Sequence, residues 1–515
     1  MSLFPMQVSQ ARARLVQAGV ALLTATLVAG CGAGYRPVVT PINPSGPASQ
    51  PTSLATVVSS PSPTSPGLAT IIDYSGDTIV AQAPIGPGPL TFTIDGSGST
   101  GYTVNSDGTL TNFPVSSTLQ AKNVSYTTLP TAAQPLAMFS PTAGLWLSDL
   151  NGNLADVLTG SPETFKLSIP VAATPVAIIG PTTAGERNYA ITQGTVSSGT
   201  ACNNAPTTGP PGEADAIEVT SYTVSAKIPL GKCPVYGVET PDAKRLFVMN
   251  RGDDTITVIN SQNNTLDSCT CPPTGCVNQS NQSYFCHPAL PLSTTAVAAL
   301  QTAYAGTTTP FSPPNGTAGM TAVAGPVYAE YNASTGQLIV ADYDGGLISV
   351  IDVSLDVYGN DSPTFGTTFT IPVGTNPASV TALYDGSRAY TANQTDGTVT
   401  IVNLTSHTVE KALPVNGHPR TVVSTQNSLY GKVYVASPDS PYLTILRTDQ
   451  DIVDATVLVQ GNIVDVRVST ENGSSGNTNV LSRKPGYGQP CYLPPALEVS
   501  TYGAAYTVQN CATLP

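Results

Sequence analysis

Pro234 to Asn260, PVYGVETPDAKRLFVMNRGDDTITVIN, decides the reading of this chain. It holds three short runs rich in β-branched and aromatic residues: one ending at Glu239, one from Leu246 to Met249, one from Ile256 to Ile259. Turn residues separate them, Pro241-Asp242 and then Asn250-Arg251-Gly252-Asp253. Short apolar runs bounded by such residues predict strand, turn, strand, turn, strand. The pattern recurs. Gln337-Leu-Ile-Val-Ala-Asp342 precedes Leu347-Ile-Ser-Val-Ile-Asp352; Arg388-Ala-Tyr-Thr-Ala-Asn393 precedes Thr398-Val-Thr-Ile-Val-Asn403; Lys432-Val-Tyr-Val-Ala-Ser437 precedes Tyr442-Leu-Thr-Ile-Leu-Arg447. The second landmark always falls ten residues after the first, as in 250 to 260 and 393 to 403. A fixed interval inside a longer repeat marks one supersecondary unit copied along the chain.

Working outward, seven prolines each precede a short apolar run: Pro89, Pro135, Pro175, Pro234, Pro326, Pro377 and Pro419. Most lie 40 to 51 residues apart, the length of a four-stranded unit; intervals of 59 and 92 carry insertions, at about 194–214 and 264–322. Leu246-Phe-Val-Met-Asn250, its Gly/Asp turn and the strand ending Ile-Asn resemble the YVTN-repeat family of β-propellers. The resemblance covers roughly residues 69 to 481 and implies an all-β ring of four-stranded blades. Rings of this type look like propeller lactonases and the heavy subunits of amine dehydrogenases, so an exported enzyme with a site at the channel mouth is one expectation. A scaffold for binding is the other, because such motifs specify a fold and not a function.

The ends predict how the ring closes. Ala69–Asp73 and Thr78–Ile85 read as the last two strands of a blade, Ile463–Val468 and Asn479–Leu481 as the first two. A blade split between the termini hides both edges and makes eight blades. Seven is the alternative, with Pro495 to Val508 supplying strands. The propeller is accordingly placed at 68–490, with a tail at 491–515.

Arg12 and Arg14, the apolar stretch Leu15 to Ala29, and Val28-Ala29-Gly30-Cys31 follow the secretory pattern, and a Cys directly after small residues resembles a bacterial lipobox. Residues 1–30 are then a signal peptide and Cys31 the lipidated first residue, anchoring the chain in the cell envelope. Gly32 in place of Asp favours the outer membrane. Residues 31–67, with eight prolines from Pro37 to Pro66, read as an extended tether.

With 19 Lys and Arg against 32 Asp and Glu and no basic run, the chain is a poor nucleic-acid binder. Its partners are expected to be the membrane, through the lipid, and another envelope protein or a small ligand. A single Trp argues against WD-repeat and quinoprotein propellers, which are Trp-rich.

Eight cysteines remain after Cys31, an even number that predicts disulfides in an exported chain. Cys202 and Cys233 pair a loop with the next blade; Cys491 and Cys511 pin the tail; Cys269, Cys271, Cys276 and Cys286 staple the large insertion in an order the sequence leaves open. These four with His287 lack a paired C-x-x-C, so no metal is predicted, and Ser283 stands where haem attachment needs a Cys. No cofactor is predicted. The Ala-rich run Ser293 to Tyr304 predicts a capped helix. Arg251-Gly252-Asp253 and Asp342-Tyr-Asp-Gly345 read as hairpin turns and not as an adhesion tripeptide or a calcium loop. The first residues of the innermost strands are apolar or small: Leu90, Leu136, Val176, Val235, Val327 and Ala378. Arg420 and Asp465 are the exceptions. With His418 they are the candidates at the channel mouth. No nucleophile motif is present, and catalytic residues are not assigned.

Overall fold

The computed structural model describes residues 54–140, 144–181, 186–195, 202, 207, 209–267, 289–306, 311–356 and 359–469. Cys31, the four cysteines from Cys269 to Cys286, Cys491, Cys511 and Asn479–Leu481 lie outside them.

Eight four-stranded antiparallel sheets form a β-propeller. Blade 2 begins at Pro89–Ile94, blade 3 at Pro135–Phe139, blade 4 at Pro175–Ile179, blade 5 at Pro234–Glu239, blade 6 at Pro326–Asn332, blade 7 at Pro377–Ala382 and blade 8 at Thr421–Ser424. Blade 1 draws its innermost strand, Asn462–Val468, from the far end of the sequence. Each innermost strand touches the next, and the strand of blade 8 meets that of blade 1, so the ring is closed.

Closure differs from the expected two-plus-two split. Leu54–Ser60 is the second strand of blade 1, followed by Pro66–Asp73 and Thr78–Pro87. Val57 pairs with Val466 on one side and Thr70 on the other. The stretch read as the end of the tether therefore begins the ring, and the place expected for Asn479–Leu481 is filled from the N-terminal side. Prolines at 51 and 61 hid the run LATVVSS inside a Pro-rich stretch. Its apolar residues Ala55, Val57 and Val58 are fully buried, which is what drives it into the sheet.

Antiparallel order fixes two faces. The prolines that open the innermost strands, and the turns between second and third strands, share one of them, called here the proline face. The turns after first and third strands lie on the far face. Past each proline in blades 2 to 7 the pairing register slips by one residue, a bulge that lets proline stand where no ladder N–H is required.

In blades 5 to 7 both sequence landmarks are explained; blade 8 departs, with Ser437 Oγ lacking a hydrogen-bond partner among the described residues and Arg447 at the second place. The first, at the end of the second strand, is a buried side-chain latch. Asn250 Nδ2 donates to Thr255 and Thr257 Oγ1 at 3.1 and 2.8 Å. Asn393 does the same to Thr398 and Thr400 at 3.0 and 2.7 Å, and Asn105 to Thr109 and Thr111 at 3.0 and 2.8 Å. The second landmark, ten residues on, caps the far-face turn. Asn260, Asp352 and Asn403 Oδ1 accept from backbone N–H groups two residues ahead. Four residues after it the backbone turns left-handed, at Asn264 and His407, completing the hairpin.

Blades pack face to face through side chains apolar on both sides, which is why Leu246, Phe247, Val248 and Met249 are all inaccessible. Tyr236 and Tyr328 stack across the junction of blades 5 and 6, centroids 4.8 Å apart.

The insertions attach where the repeat predicts breaks, with one refinement. The large one does not follow the fourth strand of blade 5 but interrupts it: Thr265–Leu266 and Ala289–Pro291 both pair with Thr255–Asn260. A helix, Thr294–Ala303, follows on the proline face, capped by Ser293 Oγ, which accepts from Ala296 N at 3.0 Å. Cys202 and Cys233 are joined, fastening the blade 4 insertion to the residue before Pro234.

Candidate functional site

The mouth of the channel on the proline face is built by the bulged residue of each innermost strand. Leu90, Leu136, Val176, Val235, Val327 and Ala378 hold six of these places, and all are buried. Val464 holds the place in blade 1, skipped in the pairing between Ile463 and Asp465. Arg420 holds it in blade 8. Seven apolar side chains and one guanidinium thus form the collar.

Two of the three candidates meet there. Arg420 is 3% exposed, and its Nη2 donates to the carbonyl of Val464, crossing from blade 8 to blade 1. Asp465 is inaccessible. Its Oδ2 lies 2.9 Å from Arg467 Nη2, and its Oδ1 accepts from Val466 N at 2.9 Å. Burial pushes the Asp465 carboxyl above the ordinary range, while Arg467 and Arg420 pull it back. These residues cross-brace the closing seam of the ring.

His418 is apart from them. Its backbone N donates to Asp439 Oδ1 at 2.8 Å and its Nδ1 bonds Asp439 Oδ2, so the ring is held by the second-to-third-strand turn of its own blade. Its side chain is 42% exposed. A carboxylate on Nδ1 fixes the imidazole and leaves Nε2 as its other hydrogen-bonding position, the arrangement that proton transfer uses.

Sequence reasoning missed a second tier. The residue just after the first landmark reaches toward the next blade in three successive blades, 4 to 6, and in blade 7 it receives the last of these contacts. Gln193 Nε2 donates to Pro234 O at 3.0 Å. Arg251 makes a two-point pair with Asp344, 2.9 and 2.8 Å, and lies 5.2 Å over the ring of Tyr343. Tyr343 Oη donates to Gln394 Oε1 at 2.9 Å. The signal was legible in the repeat: Gln, Arg, Tyr and Gln occupy one register position. Arg251 is therefore held inside the ring rather than displayed, and Asp342, inaccessible and bonded by Ser349 at 2.6 Å, points into its blade rather than to a cation. Both turns behave as hairpins.

Beside this tier a cleft of about 450 Å³ opens between blades 6 and 7, bounded by Tyr343, Asp344, Gly346, Val373, Thr375 and Asn376. Among the described residues no group of three or more His, Cys, Asp or Glu is arranged to hold a metal.

No family model matches the sequence, and no curated protein matches it. Solved structures do. AztD from Citrobacter koseri, in its apo form, is 11% identical, with 82% of this chain and 99% of that one covered and a TM-score of 0.53. The dihydro-heme d1 dehydrogenase NirN, solved with DHE, is 13% identical over 84% of this chain and 79% of its own, TM-score 0.53. A 6-phosphogluconolactonase-like protein from Bacteroides fragilis is 15% identical over 82% and 99%, TM-score 0.48. The likeness is one of fold. At these identities it says nothing of activity.

Proposed function

We propose that this chain is a lipid-anchored envelope protein whose propeller is a rigid binding platform, with the proline face as its working surface. One observation carries the reading: the insertion of blade 4 and the helix of blade 5 both stand on that face, and the first is fastened to the ring by Cys202–Cys233. Ordered loops on a rigid scaffold are where propellers place recognition. Beneath them Arg420 and Arg251 are committed to bonds between blades and Asp465 to Arg467 of its own strand, which supports a platform more than a reaction centre. The anchor rests on the Cys31 motif; expression of Cys31→Ala with labelled fatty acid tests it, and label retained in the variant overturns it. Binding is tested by cross-linked native pull-down from envelope extract. The wild type is expected to capture a defined envelope protein or ligand that a variant with residues 196–208 replaced by a Gly-Ser linker does not. Identical capture by both removes the proline-face insertion from the argument.

The exported-enzyme reading keeps one specific support, the orientation of His418 by Asp439 on the same face. A hydrolase screen comparing the wild type with His418→Ala separates the two readings: turnover abolished by the substitution establishes the enzyme.

A further inference from the structure

In every blade where the first landmark is seen bonded to the third strand, one partner brings a hydrogen. Asn supplies it in blades 2, 5 and 7, and Ser349 Oγ supplies it to Asp342 Oδ2 in blade 6 at 2.6 Å. Blade 3 breaks the rule. Its register places Asp149 at the landmark, opposite Leu154 as Asn250 is opposite Thr255, and puts Asp156 where blades 2, 5 and 7 have Thr111, Thr257 and Thr400. Asp149 is 2% exposed and Asp156 inaccessible. Register and burial bring the two carboxyl groups together in the latch position, and among the described residues each is the charged neighbour that acts on the other. Two carboxylates have no hydrogen to share.

We infer that Asp149 and Asp156 hold one proton between them, so that blade 3 is latched by an O–H···O bond that exists only when that proton is bound. The proton adds to one carboxylate oxygen and is lost to solvent as pH rises, leaving two buried anions in contact. Asp156 is the group that keeps it. Asp149 Oδ1 accepts from the backbone N–H groups of Gln134 and Asn151 at 2.7 and 2.9 Å, which stabilises its anion. Asp156 Oδ1 has only the Ser168 hydroxyl, 2.6 Å away, and its Oδ2 has no other hydrogen-bond partner. Burial first, and the neighbouring carboxylate second, push Asp156 up to about 6 against the pull of Ser168.

The sign follows from the raised folded-state value. The latch contributes fully below the ordinary carboxylate range near 4 and is lost as pH rises through about 6. Blade 3 is thereby an acid-set element in a ring whose other described latches are independent of pH, apart from the buried Asp342 of blade 6.

The test is the melting temperature of the full chain between pH 4.5 and 8 for wild type, Asp149→Asn and Asp156→Thr. Asp149→Asn keeps the acceptor for Gln134 and Asn151 and installs the amide that blades 2, 5 and 7 use. It is expected to melt ~2 °C or more above wild type at pH 8 and to lose that advantage at pH 4.5. Parallel curves for Asp149→Asn and wild type overturn the inference. Infrared difference spectra, wild type minus Asp156→Thr, supply the reading that does not depend on stability. A protonated-carboxyl band present in the difference at pH 5 and gone by pH 8 supports the shared proton, and a flat difference at both overturns it.

Discussion

Asn250 shows what one residue decides. Its amide adds a side-chain bond between two strands of a blade at the end of their ladder, at a position with no access to water. Replacing it with Ala leaves the hydroxyls of Thr255 and Thr257 without their donor, and the expected loss is about 1–3 kcal/mol in denaturant unfolding. A loss within error of zero shows that the latch is incidental. This residue was legible as a landmark because it recurs, but its bonding was not, since both threonines also read simply as strand formers. The channel-mouth residues were harder still. Arg420 and Asp465 were visible as charged residues among apolar neighbours, and Arg467, two residues from Asp465 on one strand, was within reach of local spacing, whereas Asp344 met Arg251 only through the packing of one blade on the next, which no local spacing encodes.

Among elements, the seam between blades 8 and 1 is the most exposed to chemistry. Lys432 Nζ lies 2.7 Å from Asp77 Oδ2 in the turn of blade 1 and also bonds Asp454 in its own blade, all three largely buried. Burial pushes Asp77 up to about 6, with Lys432 pulling it down. Because the folded value is above the unfolded one, Asp77 stabilises most below pH 4, and that contribution fades as pH rises through about 6. Lys432→Met strands two buried carboxylates and is expected to cost about 3–5 kcal/mol at pH 8. The loss shrinks toward pH 4.5 as Asp77 takes up a proton. An equal loss at both pH values shows that Lys432 acts by packing alone. The Cys202–Cys233 bond spans 31 residues, and Cys202→Ser is expected to cost up to about 3 kcal/mol, with reductant lowering the wild-type melt to match. A wild-type melt unchanged by reductant removes this bond from the stability of the platform.

The molecule as a whole stands or falls on its closing blade. Eight blades could be counted in the sequence because strand lengths and turns repeat, but the three-plus-one division could not, because Leu54–Ser60 carries no landmark and lies among prolines. Deleting residues 54–60 is expected to abolish the cooperative transition, since it strips pairing from both Asn462–Val468 and Pro66–Asp73. Val57→Asp, a charge at the centre of that strand, is expected to broaden and lower the melt. Melting curves like the wild type's for both variants show that the ring does not depend on this closure.

Leu54 N bonds Ser469 Oγ across 415 positions. A ribosome therefore delivers the first strands of blade 1 long before their innermost partner exists. Seven blades are synthesised in between, each free to fold from local contacts, while the opening strands wait with an unpaired edge. A nascent chain that stalls or is truncated anywhere before Asn462 never obtains its seal, and it presents the naked edge of Leu54–Ser60 to any protease it meets. Arrival of Asn462–Val468 is thus the step on which closure of the ring waits.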